Sequence, residues 1–465
     1  MKITLCANRF PPNIVGGGEV MVHSLAVALK DRGHDVSVLT LSNARHGSFR
    51  KQDALDVYEL PNLNVYDQFH HGERGRVIKM LFGVVDTFNP LMLLLAWKRL
   101  GQIAPDVLCT NTIKGMGPAL WIAARLRGVP IVHVNHDYWL LCPRSTMFRN
   151  DHACASPCRE CRTVSRPKAW FSRLVDQVVS VTGFVDDRHR AAGFFPKTSR
   201  KIIHLAPEPM RAAHASPAVF RAQRTPFRVG FIGRTDTTKG IEEFFASVAH
   251  AAKSSDIEVH VAGKDNEQRM PELIARYPHL KVTYHGFMKR ELFFDLVDLT
   301  VLTSMWDEPG GTVSVEAWEF CKPSATFATG GLPEVFERVP ELVVPRGNVK
   351  AMGALIARLA NEKPFYEGLA RRCHAERSRF TPRDHVDEFE QIFYSAAKQD
   401  APFMSVSAEE RDIRIPYKDQ AKPIRIDGVP YENKARVDGD DPRRAADGDK
   451  RPGTYASIHS RGDRQ

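Results

Sequence analysis

Apolar residues recur along this chain in two alternating rhythms. Short, almost wholly apolar runs read as buried strands: Lys2–Ala7, Val36–Leu41, Pro105–Cys109, Ile131–Asn135 and Val175–Ser180. Between them apolar positions fall three and four apart, as at Val22, Leu25, Ala26 and Leu29 within Val20–Lys30, which predicts helices. Strand, loop, helix and strand make one unit of a doubly wound parallel sheet. The alternation runs once as far as a strand at Ile202–Leu205 and then starts again at Phe227–Ile232. The second run has a helix at Ile241–Lys253, strands at Ile257–Gly263, Lys281–Tyr284, Leu299–Thr303 and Leu342–Pro345, and helices at Ala351–Leu359 and Val386–Tyr394. The pattern therefore predicts an α/β chain of two Rossmann-like domains, 1–208 and 226–380, with a Pro- and Ala-rich linker at 209–225. The last of these helices is expected to occupy 381–399. Residues 400–465 are charged, poor in aromatic residues and punctuated by Pro and Gly, the composition of a disordered tail.

Candidate chemistry gathers at the ends of the predicted strands, where open parallel sheets bind ligands. After the first strand comes Gly16-Gly17-Gly18-Glu19, whose backbone N–H groups can face a phosphate at a helix start. It is not G-x-G-x-x-G, which disfavours a dinucleotide, and a flexible linker would read the same way. The strand Ile131–Asn135 ends in His136-Asp137-Tyr138-Trp139, and His136 taken alone reads first as structural. Phe227–Ile232 leads into Gly233-Arg234-Thr235-Asp236-Thr237-Thr238-Lys239-Gly240, two cations before a helix start. An arginine can fork two phosphate oxygens and a lysine can act as a point charge. The densest stretch is Trp306–Glu334, which holds Glu308, Pro309, Gly310, Gly311, Thr312 and Glu316, then Lys322-Pro323 and Gly330-Gly331-Leu332-Pro333-Glu334. A helix starting near Thr312 puts Thr312 and Glu316 on one face, four apart. The N–H groups of Gly310, Gly311 and Thr312 would then cradle an anion, with hydroxyl acceptors at Glu308 and Glu316 on either side. A nucleotide-sugar, with hydroxyls on both sides of a diphosphate, has the matching shape.

That last string resembles the donor-site signature of family-4 retaining glycosyltransferases, with two glutamates separated by seven residues and a later G-G-L-P-E. Gly310 stands where the family often has an aromatic residue, and Cys321 where it often has glycine. Gly16, Gly17 and Glu19 followed by Arg32-Gly33-His34-Asp35-Val36 resemble the family's N-terminal loop, and Gly233–Gly240 resembles its G-R-x-x-x-x-K-G motif. The resemblance covers roughly residues 1–397. It implies the GT-B fold, in which the two domains face each other across a cleft and the last helix crosses back onto the first. It also implies a nucleotide-diphosphate sugar donor, UDP- or GDP-linked, and a glycan or lipid-linked acceptor. Arg234, Lys239 and the Gly17 and Gly311 backbones would hold the diphosphate, with Gly16, Gly233, Gly310 and Thr312 completing the donor site. Glu308 would hold sugar hydroxyls, Glu316 the ribose, and His136 a sugar hydroxyl near the reaction. Front-face transfer of this kind needs leaving-group stabilisation more than a strong base, so no catalytic metal is expected. An epimerase or phosphorylase on the same fold is the alternative.

Cysteine spacing adds one more candidate. Cys142, Cys154, Cys158 and Cys161 lie C-x11-C-x3-C-x2-C, within an insert that resembles one in some family members. Four thiolates suit a structural zinc, with His152 as a further ligand, although disulfides or unrelated thiols would give the same count. Eight cysteines in a chain whose first residues read as a strand rather than a secretory leader point to a reducing, cytoplasmic setting. The formal net charge of +10 calls for an anionic partner. The most apolar stretch, Val77–Leu100, is broken by Lys79, Asp86, Asn89 and Pro90. It fits a helix pressed on a core or resting on a membrane better than one crossing it, so peripheral contact with an anionic membrane is expected. A basic zinc module binding nucleic acid is a rival from another class, but few aromatics interleave its cations, and no nucleic-acid partner is expected. Asp438-Gly439-Asp440 spells a D-x-D inside the tail, which reads as accidental.

Overall fold

The computed structural model describes residues 1–13, 16–66, 75–207 and 225–398. The linker expected at 209–225, apart from its last residue, and the tail with its D-x-D lie outside the described residues.

Among the described residues, the first sheet has eight strands. They are β1 (Lys2–Cys6), β2 (Asp35–Leu41), β3 (Ser48–Gln52), β4 (Leu55–Leu60), β5 (Val107–Thr110) and β6 (Ile131–Asn135). A short hairpin, β7 (Phe148–Arg149) with β8 (His152–Ala153), stands apart, and β9 (Gln177–Ser180) and β10 (Ser199–Ile202) complete the sheet. Its order is β10-β9-β6-β5-β1-β2-β4-β3, parallel throughout except for β3, which runs antiparallel at the edge. Side chains alternate between two cores. Ile3 and Leu5, Val107 and Cys109, and Val132 and Val134 face one core, while Cys6, Leu108 and Ile131 face the other. A strand buried on both faces reads as a continuous apolar run, which is why these were visible in the sequence.

The second sheet is built from β11 (Phe227–Ile232), β12 (Ile257–Ala262), β13 (Lys281–Tyr284), β14 (Leu299–Leu302), β15 (Ser324–Phe327) and β16 (Val343–Val344). It is wholly parallel, in the order β13-β12-β11-β14-β15-β16. The last described helix, Pro382–Lys398, packs Val386, Phe389, Ile392, Phe393 and Ala396 into the first sheet's core beside Ile3 and Val22. Arg32 and His34 tie its outer face through Glu390, at 2.7 and 2.8 Å.

One expected strand shifts. The pairing places β10 at Ser199–Ile202 instead of Ile202–Leu205. This is an edge strand with polar, partly exposed residues, and the apolar Ile203 is buried just beyond the last paired position.

Candidate active site

Four loops leave the carboxyl ends of β1, β6, β11 and β14, and each carries part of the candidate site. The first begins the helix Gly17–Asp31, whose N-cap is Gly16 in extended conformation. Gly16 N–H donates to Glu19 Oε2 at 2.9 Å, so the cap closes on itself and leaves the helix start pointing outward. The fourth begins the helix Thr312–Glu319, with Gly311 as its N-cap. These two starts face each other. A Cβ built on Gly17 would lie 3.7 Å from Thr312 Oγ1, so the positive ends of two helix dipoles, one from each domain, share one place.

Backbone packing explains the spacing of the longest motif. Gly311 and Gly330 both have positive φ, +55° and +58°. A Cβ on Gly311 would strike Leu332 at 2.2 Å, and one on Gly330 would strike Glu308 O at 2.2 Å. The E-P-G-G loop and the G-G-L-P-E loop are thus stacked backbone on backbone, joined by Gly331 N–H donating to Glu308 O at 2.7 Å. Gly233 plays the same part at the end of β11, where its carbonyl occupies the position a Cβ on Gly263 would need.

The side chains assigned to the donor engage one another. Lys239 Nζ lies 2.9 Å from each oxygen of Glu308, which is 8% exposed and accepts also from Ser304 Oγ at 3.0 Å and Trp306 Nε1 at 2.7 Å. Arg234 is exposed and sits beside Asp236 (Nε–Oδ2 3.3 Å) and Thr238 (Nη2–Oγ1 3.2 Å). Glu316 is buried and pairs with Arg290 Nη1, while its Oε2 has no hydrogen-bond partner among the described residues. Burial pushes the Glu316 carboxyl up to about 7 against the opposing pull of Arg290.

His136 is partly buried at the end of β6, where its Nε2 lies 3.4 Å from Thr112 Oγ1. Its ring rests on Gly18, and a Cβ there would come within 2.7 Å of His136 Cε1. Gly18 thus joins Gly16 and Gly17 for a steric reason that the triple glycine alone did not reveal. Gly18→Ala is expected to displace the imidazole and lower turnover by about tenfold or more, with little change in melting temperature. Unaltered turnover in that variant would remove His136 from the reaction centre.

Several residues that lock the cleft escaped the sequence reading. Glu334 reaches across to the helix Gly183–Ala191 and accepts from Gly183 N and Phe184 N, both at 2.7 Å. Thr182 Oγ1 donates to Pro309 O at 2.8 Å. Asp307 takes Arg188 from the first domain at 2.9 Å and Arg346 from the second. Tyr138 meets the Trp306 ring edge-on at 6.1 Å. Glu334 and Asp307 stood inside the motif already noted, but their first-domain partners lie about 120–150 positions away in the chain.

Two of the four clustered cysteines meet directly. Cys158 and Cys161 are one helical turn apart at the start of the helix Arg159–Phe171, with their sulfurs at 3.4 Å. A hydrogen bond from Cys161 pulls the Cys142 thiol down to about 6. Cys154 is held by its backbone to the hairpin, N–H to Met147 O at 2.7 Å. Among the described residues no group of three or more His, Cys, Asp or Glu side chains is placed to hold a metal ion. Direct sulfur–sulfur contact is made by Cys158 with Cys161, and a structural zinc at Cys142, Cys154, Cys158 and Cys161, with His152 as a further ligand, stays a proposal that elemental analysis of the purified protein would test.

Two Rossmann-like domains with strand-end loops meeting between them give the chain the GT-B fold. Residues 15–205 match the model for Glycosyltransferase Family 4 and residues 215–375 that for Glycosyl transferases group 1, and the chain belongs to this family. It is 25% identical over 342 residues to an uncharacterized 42.6 kDa protein in a cps region of Klebsiella pneumoniae, covering 74% of this chain and 89% of that one. It is 23% identical over 350 residues to a glycogen synthase of Mycobacterium tuberculosis, 72% and 80% of the two chains. The fold is similar to sucrose-phosphate synthase from Thermosynechococcus elongatus (TM-score 0.65, 17% identity, 85% of this chain and 98% of that one). It is also similar to Anabaena HepE in complex with UDP and glucose (TM-score 0.61, 18% identity, 85% and 100%).

Proposed function

We propose that this glycosyltransferase moves a sugar, with retention, from a UDP-sugar to a hydroxyl of a glycan or lipid-linked acceptor. The observation that carries this reading is the meeting of the Gly17 and Thr312 helix starts beside the Lys239–Glu308 pair. A diphosphate placed there meets two sets of N–H groups and the Lys239 ammonium, with Arg234 at the rim. Those groups stabilise the charge that develops on the leaving diphosphate, so the mechanism calls for no divalent metal. Glu308 lies beside the diphosphate place, where its carboxylate is fixed by three donors and can orient sugar hydroxyls. Glu316 offers an unpaired buried oxygen to a ribose hydroxyl that displaces part of Arg290. His136, at the end of β6 with its ring against Gly18, would meet a sugar hydroxyl near the reaction centre. The Klebsiella relative from a cps region and the UDP in the HepE complex favour cell-surface glycan synthesis and uridine over GDP.

Calorimetric titration with UDP and with GDP, without added metal, tests the reading. UDP is expected to bind and GDP to bind more weakly, and Arg234→Ala with Lys239→Ala should abolish the heat. Failure of both nucleotides to bind would overturn the donor-site assignment. Release of an epimerised sugar, or dependence on phosphate as acceptor, would move the chain to the epimerase or phosphorylase reading.

A further inference from the structure

The helices Arg76–Thr87 and Pro90–Ile103 follow one another with a 40° bend at their break. Each buries one face, Phe82 on the first and Met92, Ala96 and Leu100 on the second, the last three packed with Ala119, Leu120 and Ala123. Their other face is apolar as well. Val77, Met80, Val84, Leu91 and Leu94 are 56–66% exposed. Single exposed apolar residues are ordinary, but a stripe running over two successive helices is not. The stripe continues onto the helix Arg159–Phe171, whose Phe171 stacks on Phe88 (6.2 Å, 10°) and whose Trp170 is 63% exposed.

Among the described residues, the exposed charges beside this stripe have one sign. Lys79 and Lys98 on the two helices, and Arg166 and Arg173 beside Trp170, are all exposed. Asp86 is the sole acidic residue between 75 and 103, and it is buried, accepting from Gly115 N–H at 2.6 Å. Glu160 lies at the far end of its helix and pairs with Arg149 at 3.6 Å. An apolar face with an aromatic residue at its edge and lysines and arginines around it matches the interface of an anionic bilayer.

Length and apolar composition alone would let the bent pair cross a membrane, and no single helix among the described residues would. Crossing would pull Met92, Ala96 and Leu100 out of the first-domain core. It would also break the Asn89 tether, which caps Met92 N–H at 3.1 Å and donates to Leu63 O at 3.2 Å. The helices are therefore built to lie flat. We propose that this face docks the enzyme on the surface of an anionic lipid bilayer, with the apolar stripe entering the headgroup boundary and the four cations holding lipid phosphates.

The test is flotation of the full-length protein with vesicles of phosphatidylcholine alone and of phosphatidylcholine mixed with phosphatidylglycerol. The protein should float with the mixed vesicles, less so as salt is raised, and weakly with phosphatidylcholine alone. Leu91→Glu with Leu94→Glu should reduce partitioning on the order of tenfold or more. Lys79→Glu with Lys98→Glu should reduce it on the mixed vesicles only. These positions face solvent, so UDP binding and melting temperature should be unchanged and would exclude misfolding. Absence of flotation overturns the proposal. Binding that survives the leucine substitutions overturns it too, by placing attachment elsewhere in the chain. A concentration-dependent dimer that the same substitutions dissolve, without vesicle binding, would assign the stripe to a second copy instead.

Discussion

Lys239→Ala should lower the rate of UDP release from the UDP-sugar donor by about two to three orders of magnitude. Two losses combine. The ammonium that would meet the leaving diphosphate is gone, and the Glu308 carboxylate loses the cation 2.9 Å from both of its oxygens. With Ser304 and Trp306 as its remaining donors, the 8%-exposed carboxylate would place an uncompensated negative charge beside the diphosphate. A companion variant separates the two. In Lys239→Ala with Glu308→Gln the stranded charge is removed, so melting temperature should recover toward wild type while the rate stays low. If the double variant regains the rate, Lys239 acts only by neutralising Glu308 and the phosphate role assigned to it fails. Lys239→Arg restores the charge on a longer, planar group and should recover only part of the activity, because the pair with both oxygens depends on a compact ammonium.

What the sequence displayed and what it hid follow from the range of the forces involved. Strands such as Ile131–Asn135 are buried on both faces, so burial itself wrote them as apolar runs. The E-P-G-G loop was visible because helix capping and anion cradling are local and leave glycines at fixed offsets. The edge pair β3–β4 was not read, and β10 was displaced, because edge strands keep exposed polar residues. Short β15 was missed beside the Lys322-Pro323 turn. Partners distant in the chain were hidden for a different reason. Glu334 caps a helix some 150 residues before it, and Arg290 meets Glu316 from another helix start 26 residues away. No periodicity records such contacts. The cysteines show the same limit, since their spacing did not record that Cys158 and Cys161 start one helix while Cys154 is held by its backbone to the hairpin.

Burial of Glu316 also makes donor binding depend on pH in a direction that can be stated beforehand. Burial raises the Glu316 carboxyl from its ordinary 4.5 to about 7, and Arg290 opposes that rise. A ribose hydroxyl donates to the ionised carboxylate better than to the protonated acid. UDP affinity should therefore increase as pH rises through about 7, when measured by titration calorimetry from about pH 5 to about pH 9. Arg290→Ala removes the opposing cation, so the same inflection should move upward and affinity at neutral pH should fall by about tenfold. Glu316→Gln should erase the inflection altogether. Stability runs the other way. A carboxyl whose folded pKa is raised binds its proton more tightly when folded, so its contribution is fully present below about 4.5 and is lost as pH climbs through about 7. The rise to about 7 corresponds to about 3 kcal/mol at most, and Glu316→Gln should spare the protein that loss. Wild type and Glu316→Gln should thus melt closer together at low pH than at high pH, where the glutamine variant gains. If UDP affinity is flat across neutral pH while the melting curves behave as stated, Glu316 is a buried structural acid and the ribose must be held by other residues.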